Sequence, residues 1–172
     1  LFDKSSKKKL PQFPSNVGII TSIDGSVMKD LTNILERRCP YLNIFIKNTL
    51  VQGKSASKML VDSIKIFNDL NNVDVLIIAR GGGSFEDLMC FNEETLVRTI
   101  FSSKIPVISA IGHETDITLT DLVADVRAST PSEAAELSSP SIIDLKMKIN
   151  DKINNINKVI TNNINEKKYS VD

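Results

Sequence analysis

Short runs of apolar residues alternate along the chain with longer stretches in which apolar residues recur every three to four positions. Continuous runs are typical of strands buried on both faces of a sheet, and the wider spacing is typical of helices with one buried face. The predicted strands are 17–20, 42–46, 73–79 and 105–111, and the predicted helices are 27–38, about 59–67, 93–102 and about 118–126. This alternation predicts an α/β fold with a doubly wound, mostly parallel sheet and flanking helices.

The two ends of the chain have different patterns. The first residues are charged and contain two prolines, which is typical of a linker, and the basic cluster 4–9 is interpreted as a solvated segment. From Ile142 onwards apolar residues return in steps of three and four with an eleven-residue period, which predicts a nearly straight helix that either packs back on the domain or runs exposed. The expected organisation is a linker over 1–14, an α/β domain over 15–140 and the start of a long helical region over 141–172.

Charge and composition argue against several classes of function. The 172 residues contain 21 Lys and Arg against 21 Asp and Glu, which argues against a large nucleic-acid platform but allows a small phosphate site. The sequence has no apolar stretch of membrane-spanning length and no signal-peptide pattern, so we expect a cytoplasmic segment of a longer protein. Cys39 and Cys90 are far apart and outside any C-x-x-C motif, which predicts reduced thiols rather than a zinc site.

Unusual residues follow three of the predicted strands. Because the carboxyl ends of parallel strands meet at one edge of a sheet, these segments should share one crevice, where ligands bind in open α/β sheets. The segments are Thr21-Ser22 with Gly25, Arg80-Gly81-Gly82-Gly83-Ser84, and Gly112-His113-Glu114-Thr115-Asp116. We predict that Ser22, Gly81, Gly82, Gly83 and Ser84 bind phosphate.

The segment 80–84 has the chemistry of an anion site. Glycines let a phosphate approach the backbone N–H groups, and the guanidinium of Arg80 can hold two phosphate oxygens. The segment lacks the Gly-Lys-Ser/Thr ending of a P-loop and the spacing of a dinucleotide fingerprint. The alternative is a tight turn without a ligand.

His113 is the only histidine of the chain, and it can move a proton near neutral pH. Asp116 could orient it, bind a metal or cap the next helix. If the predicted helix begins near Ser26, Asp30 lies on the same face as Ser26, one turn later. Its side chain then points either into the crevice or to solvent. A fixed cation, an anion cradle, one imidazole and two carboxylates suit attack on a phosphodiester, with Asp30, Arg80, His113 and Asp116 as candidate catalytic residues.

Two other classes of function are also compatible with these residues. A non-catalytic domain that binds a nucleotide or phosphosugar needs the glycine cradle and Arg80 but no titratable base. A scaffold whose main part is the C-terminal helix needs none of these residues.

Ordered blocks of the sequence resemble the large subunit of bacterial exodeoxyribonuclease VII. The blocks are 17–22 with Gly25 and Asp30, then 51–53, 73–77, 80–84, 86–88, 91–94, 112–116, 124–128 and 130–132. The resemblance implies an exonuclease that degrades single-stranded DNA from either end into short oligonucleotides, with Asp30, Arg80, His113 and Asp116 as essential residues. It also implies an N-terminal OB-fold domain that precedes this chain and a helical C-terminal region that binds several small subunits.

The resemblance further implies that added divalent metal is not strictly required, and Mg²⁺ held by Asp30 and Asp116 is the alternative. The chain departs from the pattern in three places. Ile23-Asp24 stands where a Pro is usual nearby, and Glu133 stands where small residues are usual. Met89-Cys90 replaces a Trp-containing pair, and we expect Met89 to fill a core position rather than to replace a base-stacking residue.

Overall fold

Five parallel strands form one sheet in a computed structural model, which describes residues 1–82, 85–112 and 116–169. The strands lie in the order β2-β1-β3-β4-β5, and every pairing is parallel. They are β1 (Asn16–Thr21), β2 (Asn43–Asn48), β3 (Val75–Ala79), β4 (Val107–Ala110) and β5 (Val126–Arg127). The predicted α/β fold with a mostly parallel sheet is therefore confirmed.

Helices connect and flank the strands. They are α1 (Ser26–Arg38), α2 (Ala56–Leu70), α3 (Glu94–Ser102), α4 (Leu119–Val123), α5 (Pro131–Leu137) and α6 (Ile142–Tyr169), with 3-10 segments at Lys4–Ser6 and Phe85–Asn92. The predicted strands and helices agree with β1 to β4 and α1 to α3 within a few residues. α2 ends at Leu70, and its C-cap Asn71 adopts a left-handed conformation (φ 46°).

The fifth strand was not predicted. We expected a helix over 118–126, but α4 ends at Val123 and the next residues pair with β4, Ile108 opposite Val126 and Ser109 opposite Arg127. A strand of two residues is too short to show a hydrophobic periodicity. Val126–Arg127 is therefore a strand only because its backbone pairs with β4.

The core has two layers, one on each face of the sheet. α1 and α5 cover one face with a cluster that includes Leu31, Leu35 and Ile77, and α2, α3 and α4 cover the other with a cluster that includes Leu60 and Phe91. Burying each such large side chain contributes about 1.5–3 kcal/mol. Gly18 lets α2 pack closely on β1, because a Cβ there would lie 2.5 Å from Leu76 Cδ2 and 3.1 Å from Phe67 Cε1.

The strand order determines where a ligand site is expected. β1 is followed in sequence by its neighbour β2 on one side, and the chain then returns to β3 on the other side of β1. Such a reversal creates a crevice at the carboxyl ends of the two central strands, which is the usual binding place in doubly wound sheets. Ser22 follows β1 and Arg80 follows β3, so the strand order places these segments beside the reversal.

The N-terminal segment is attached to the domain by two lysines. Lys7 Nζ donates to the carbonyl oxygens of Leu122 (2.9 Å) and Ala124 (2.6 Å). The backbone N–H of Lys8 donates to Asp125 Oδ1 (2.7 Å), and Lys8 Nζ lies 3.1 Å from Asp125 Oδ2. The interpretation of 4–9 as a solvated segment is therefore wrong for these two residues.

The apolar stripe of α6 is exposed over most of its described length. Ile142 and Leu145 at its start are partly buried, whereas the stripe residues from Ile149 to Ile160 range from 49% to 58% exposed. This part of the helix therefore does not pack back on the domain. Over the part of the chain that the structure describes, no helix combines the length and apolar character of a membrane span.

Candidate active site

A cavity of about 180 Å³ lies at the carboxyl edge of the sheet, and we call it the edge pocket. Four chain segments line it: the start of α1, the residues after β3, the end of β4, and the connection from β5 to α5. The lining residues are Ser26, Val27, Asp30, Arg80, Gly81, Gly82, Ala110, Ile111, Gly112, Ser129, Thr130 and Pro131. The edge pocket therefore joins segments that are about one hundred residues apart in sequence.

The edge pocket brings together several of the residues predicted from sequence. Asp30, Arg80, Gly81 and Gly82 line it. Ser22 is partly buried just after β1 and is not among the lining residues. The candidates Gly83, Ser84 and His113 lie outside the described residues, and their roles stay predictions.

Arg80 is the buried cation of the edge pocket. Its side chain is 4% exposed, and its backbone N–H donates to the carbonyl oxygen of Ala110 (3.1 Å), which continues the pairing of β3 with β4. Its Nη2 lies 3.3 Å from Asp87 Oδ2, in the segment Phe85–Asn92. Because a buried charge needs a partner, this carboxylate fixes the guanidinium before a ligand arrives. Arg80 is thus a preorganised cation at the end of a central strand.

The first turn of α1 forms the opposite wall. Its N-cap is Gly25, which has no side chain to cap the first N–H groups, and Ser26 and Val27 follow in the lining. The first N–H groups of a helix have no partner within the helix, and they favour an anion. Gly81 permits this approach of α1, because a Cβ there would lie 3.2 Å from Val27 Cγ2. The guanidinium of Arg80 and the N-terminal turn of α1 thus both line the edge pocket.

Asp30 occupies the mouth of the edge pocket. It is exposed to solvent and also lines the cavity, one helical turn after Ser26. The sequence left open whether Asp30 points into the crevice or to solvent. In the structure it does both, because it lines the opening of the pocket. The carboxylate of Asp30 lies at the opening of a pocket that has Arg80 among its buried walls.

Gly112 and Asp116 flank the residues 113–115 that lie outside the described part of the chain. A Cβ added to Gly112 would overlap the backbone carbonyl oxygen of Asp116. The two residues that flank 113–115 therefore lie against each other, and only glycine fits at the first of them. Asp116 is partly buried beside the pocket-lining Gly112, although it is not itself among the lining residues.

Cys90 belongs to the wall behind Arg80. Its Sγ donates to the carbonyl oxygen of Asp87 (3.3 Å). Burial raises the pKa of the Cys90 thiol above its ordinary value of 9.0, and the charge of Arg80 only partly opposes this. The thiol is therefore neutral at physiological pH. Cys39 and Cys90 are both free thiols, as the sequence predicted.

A metal site does not emerge from the described residues alone. Among them, no group of three His, Cys, Asp or Glu side chains lies close enough to hold an ion. His113 and Glu114 lie outside the described residues, so this finding does not include them.

Comparison with known proteins identifies the family. The sequence pattern described as "Exonuclease VII, large subunit" matches residues 1–172. The chain belongs to this family. A relative named "Exodeoxyribonuclease 7 large subunit" from Clostridioides difficile (strain 630) is 43% identical over 172 residues, which covers 100% of this chain and 43% of that protein.

Two further exonuclease VII large subunits show the same relationship. The one from Pseudoalteromonas translucida (strain TAC 125) is 47% identical over 168 residues, 98% of this chain and 38% of that protein. The one from Histophilus somni (strain 129Pt) is 56% identical over 139 residues, 81% of this chain and 31% of that protein. The chain therefore spans less than half the length of these curated relatives.

The lining of the edge pocket also includes residues that sequence reasoning did not select as site residues. They are Ser129, Thr130 and Pro131. Thr130 is the N-cap of α5, with its Oγ1 accepting from the N–H of Glu133 (3.1 Å), and Pro131 is the first helical residue. A Thr-Pro-x-Glu sequence is a recognisable helix start. The unpredicted strand β5 leads into that start, and α5 packs on α1 and β4 beside the pocket.

The departures from the family pattern have different outcomes. Glu133 Oε2 accepts from the backbone N–H of Ser129 (2.6 Å), so this acid fixes a pocket-lining residue. Met89 is 57% exposed, and the expectation that it fills a core position is wrong. It lies on the outer side of the segment Phe85–Asn92, whose inner residue Phe91 is fully buried. Because a 3-10 helix has three residues per turn, Leu88 and Phe91 share the buried face and Met89 lies off it.

Proposed function

We propose that this chain is the catalytic domain of an exodeoxyribonuclease that hydrolyses phosphodiester bonds of single-stranded DNA. The complete enzyme removes short oligonucleotides from either end of the strand. The observation that carries the proposal is the edge pocket, in which a buried arginine, the N-terminal turn of α1 and a carboxylate meet at the reversal of strand order. Membership of the exonuclease VII large-subunit family supports the same reaction class.

The edge pocket suits a phosphate group better than a sugar or a base. Arg80 offers two parallel N–H donors to the phosphate oxygens, and Gly81 and Gly82 leave the backbone accessible beside it. We assign Ser22, Gly83 and Ser84 to the same phosphate-binding role. As water attacks phosphorus, negative charge grows on the non-bridging oxygens, and a fixed cation stabilises that charge without reorganising.

The proton transfers are assigned to His113. The water oxygen forms a bond to phosphorus, the bond from phosphorus to the leaving ester oxygen breaks, and water loses one proton while the leaving oxygen gains one. An imidazole near neutral pH can perform either transfer. Asp30 and Asp116 either orient His113 or hold Mg²⁺, and loss of cleavage in EDTA would indicate the metal role.

The complete protein supplies what this domain lacks. The neutral charge of the chain and a pocket of about 180 Å³ do not provide a long groove for a DNA strand. We propose that a preceding OB-fold domain, joined through residues 1–14, holds the strand, and that the enzyme acts in the cytoplasm. In this organisation residues 15–140 perform the chemistry.

The exposed stripe of α6 favours a role in assembly. Its apolar residues, among them Ile143, Ile153 and Ile160, are about half exposed or more, which is costly unless a partner covers them. We propose that 141–172 begins the region that binds the small subunits. Truncation after Pro140 should abolish copurification with the small subunits, and unchanged assembly would contradict this assignment.

The variant His113→Ala tests the catalytic role in the full-length protein assembled with its small subunits. Removing the proton-transfer group should lower cleavage of end-labelled single-stranded DNA by on the order of 10²–10⁴ fold. A gel-shift assay on the same strand should show unchanged affinity, because the phosphate contacts remain. Undiminished cleavage would overturn the proposal and favour a domain that only binds nucleotides or phosphosugars.

A further inference from the structure

Asp121 is a buried carboxylate with hydrogen-bond donors from two directions. The residue is 2% exposed. Its Oδ1 accepts from the hydroxyl of Ser109 (2.6 Å), and its Oδ2 accepts from both the backbone N–H (2.9 Å) and the hydroxyl (2.8 Å) of Thr118. In return, the N–H of Asp121 donates to Thr118 Oγ1 (3.2 Å). Hydrogen bonds to an ionised carboxylate are roughly twice as strong as neutral ones, so this is a firm attachment.

The two partners of Asp121 precede and follow residues 110–117 in the sequence. Ser109 is in β4, immediately before the residues that line the edge pocket, and Thr118 is the N-cap of α4. One carboxylate thus joins the strand that leads into 110–117 to the helix that follows it. The contact between Gly112 and Asp116 closes the same segment from within.

The start of α4 is also attached to the wall that holds Arg80. Thr120 Oγ1 donates to the carbonyl oxygen of Phe91 (2.7 Å), and the N–H of Leu119 donates to Asn92 Oδ1 (2.8 Å). Both acceptors belong to Phe85–Asn92, the segment whose Asp87 pairs with Arg80. The position of 110–117 relative to Arg80 therefore depends on how α4 is held, and Asp121 joins α4 to the sheet.

We propose that Asp121 is a positioning residue that fixes the segment carrying His113 and Asp116 against the edge pocket. The inference rests on the proposed function, since it assigns Asp121 a role in placing those two residues. Asp121 does not touch the substrate in this role. It acts by holding Ser109 and Thr118, which precede and follow this segment, at one carboxylate, so that the catalytic groups keep their alignment with the phosphate.

The chain offers a matched control four residues away. Asp125 is also buried, its side chain 4% exposed, and it accepts from the backbone N–H groups of Val107 (2.8 Å) and Lys8 (2.7 Å). Val107 is the first residue of β4, at the end opposite to the edge pocket. Asp125→Asn therefore weakens a comparable buried carboxylate site without disturbing the bonds of Asp121 to Ser109 and Thr118.

The experiment compares Asp121→Asn with Asp125→Asn in the full-length protein assembled with its small subunits. Asparagine keeps the volume of the side chain but cannot accept from all three donors. Because small misplacements of catalytic groups are costly, we expect Asp121→Asn to lower kcat on single-stranded DNA by about tenfold to a hundredfold, with KM changed less than about twofold. Asp125→Asn should lower the melting temperature by at least as much and keep kcat within about twofold of the parent.

Variants of the partners separate positioning from a general loss of stability. Thr118→Val removes the hydroxyl that donates to Asp121 and should lower kcat, whereas Thr118→Ser keeps both donors and should restore it. These variants decide the question if Asp121→Asn fails to fold. Equal kcat values for the Asp121 and Asp125 variants, or for the two Thr118 variants, would overturn the inference.

The failure of the inference can be told from failure of the proposed function. If His113→Ala loses cleavage while Asp121→Asn retains full kcat, the catalytic assignment stands and the positioning role is wrong. If His113→Ala retains cleavage, the proposed function itself is wrong, and Asp121 has no catalytic segment to position.

Discussion

The two faces of the sheet are packed with side chains of different size. Among the described residues, the cluster under α1 and α5 contains five alanines, whereas the cluster under α2, α3 and α4 contains one alanine and two phenylalanines. The five alanines are Ala79, Ala110, Ala128, Ala134 and Ala135. Four of them lie at the ends of β3 and β4 or in α5, next to residues that line the edge pocket.

This difference shows how one sheet supplies both stability and a site. Large side chains on the α2 face bury more apolar area for each residue and contribute more to the free energy of unfolding. Small side chains on the α1 face let the starts of α1 and α5 approach the carboxyl ends of the strands. The edge pocket is thus on the face of the sheet that is packed with small side chains. Arg80 pairs with Asp87, which belongs to a segment on the other face, the one packed with large side chains.

The largest effect on kcat is expected from removing the guanidinium of Arg80, which pairs with Asp87 on the other face of the sheet. Arg80→Ala should lower kcat on single-stranded DNA by on the order of 10²–10³ fold, because one preorganised donor to the transition state is lost. The control is Arg98→Ala, whose exposed guanidinium pairs with Glu94 on the same helix, 2.7 Å apart. It should change kcat by less than about twofold, as exposed pairs contribute little. Similar losses for both variants would contradict the role of Arg80.

A smaller effect is expected from adding bulk to each face. Ala134→Leu in α5 and Ala124→Leu after α4 both enlarge a fully buried residue. Each should lower the free energy of unfolding by about 1–3 kcal/mol, measured by urea denaturation. Only Ala134→Leu should also raise KM for the DNA strand, since it displaces the helix whose first residues line the edge pocket. A rise in KM for both variants would show that the two faces do not differ in function.

The smallest effect concerns Cys90 and the pH dependence of stability. Its pKa is raised in the folded protein, so the folded state disfavours the thiolate that the unfolded chain forms above about pH 9. The contribution to stability is complete below the unfolded pKa and is lost as pH rises through the folded pKa. Cys90→Ser should therefore flatten the fall in melting temperature above about pH 9. An identical fall in the variant would contradict this.

Below pH 8 the same substitution provides an activity control. A neutral thiol in the wall behind Arg80 contributes no charge to the edge pocket at physiological pH. Cys90→Ser should accordingly leave the pH profile of kcat below pH 8 unchanged. A change there would indicate that the thiol, rather than only the carboxylate of Asp87, tunes Arg80.

The sequence determined the local elements wherever a long pattern was available. The buried run that ends at Ala79 could only be an inner strand, and Arg80 with its glycines had to emerge at its carboxyl end. The three-to-four spacing in α1 and α2 fixed their buried faces, because a helix exposes one stripe every 3.6 residues. The exposure of α6 could not be predicted from its sequence pattern. An amphipathic helix has the same pattern whether its apolar face packs on another surface or faces solvent.

The tertiary structure alone decided which segments meet. β5 is a strand only because Ile108 and Ser109 offer backbone partners, and through β5 the residues Ser129 to Pro131 reach the edge pocket. The pairing of Arg80 with Asp87 and the attachment of Ser109 and Thr118 to Asp121 likewise join residues that no sequence period relates. Local periodicity follows from the geometry of a single helix or strand. Contacts between segments depend on register and burial, which arise only when the whole chain packs.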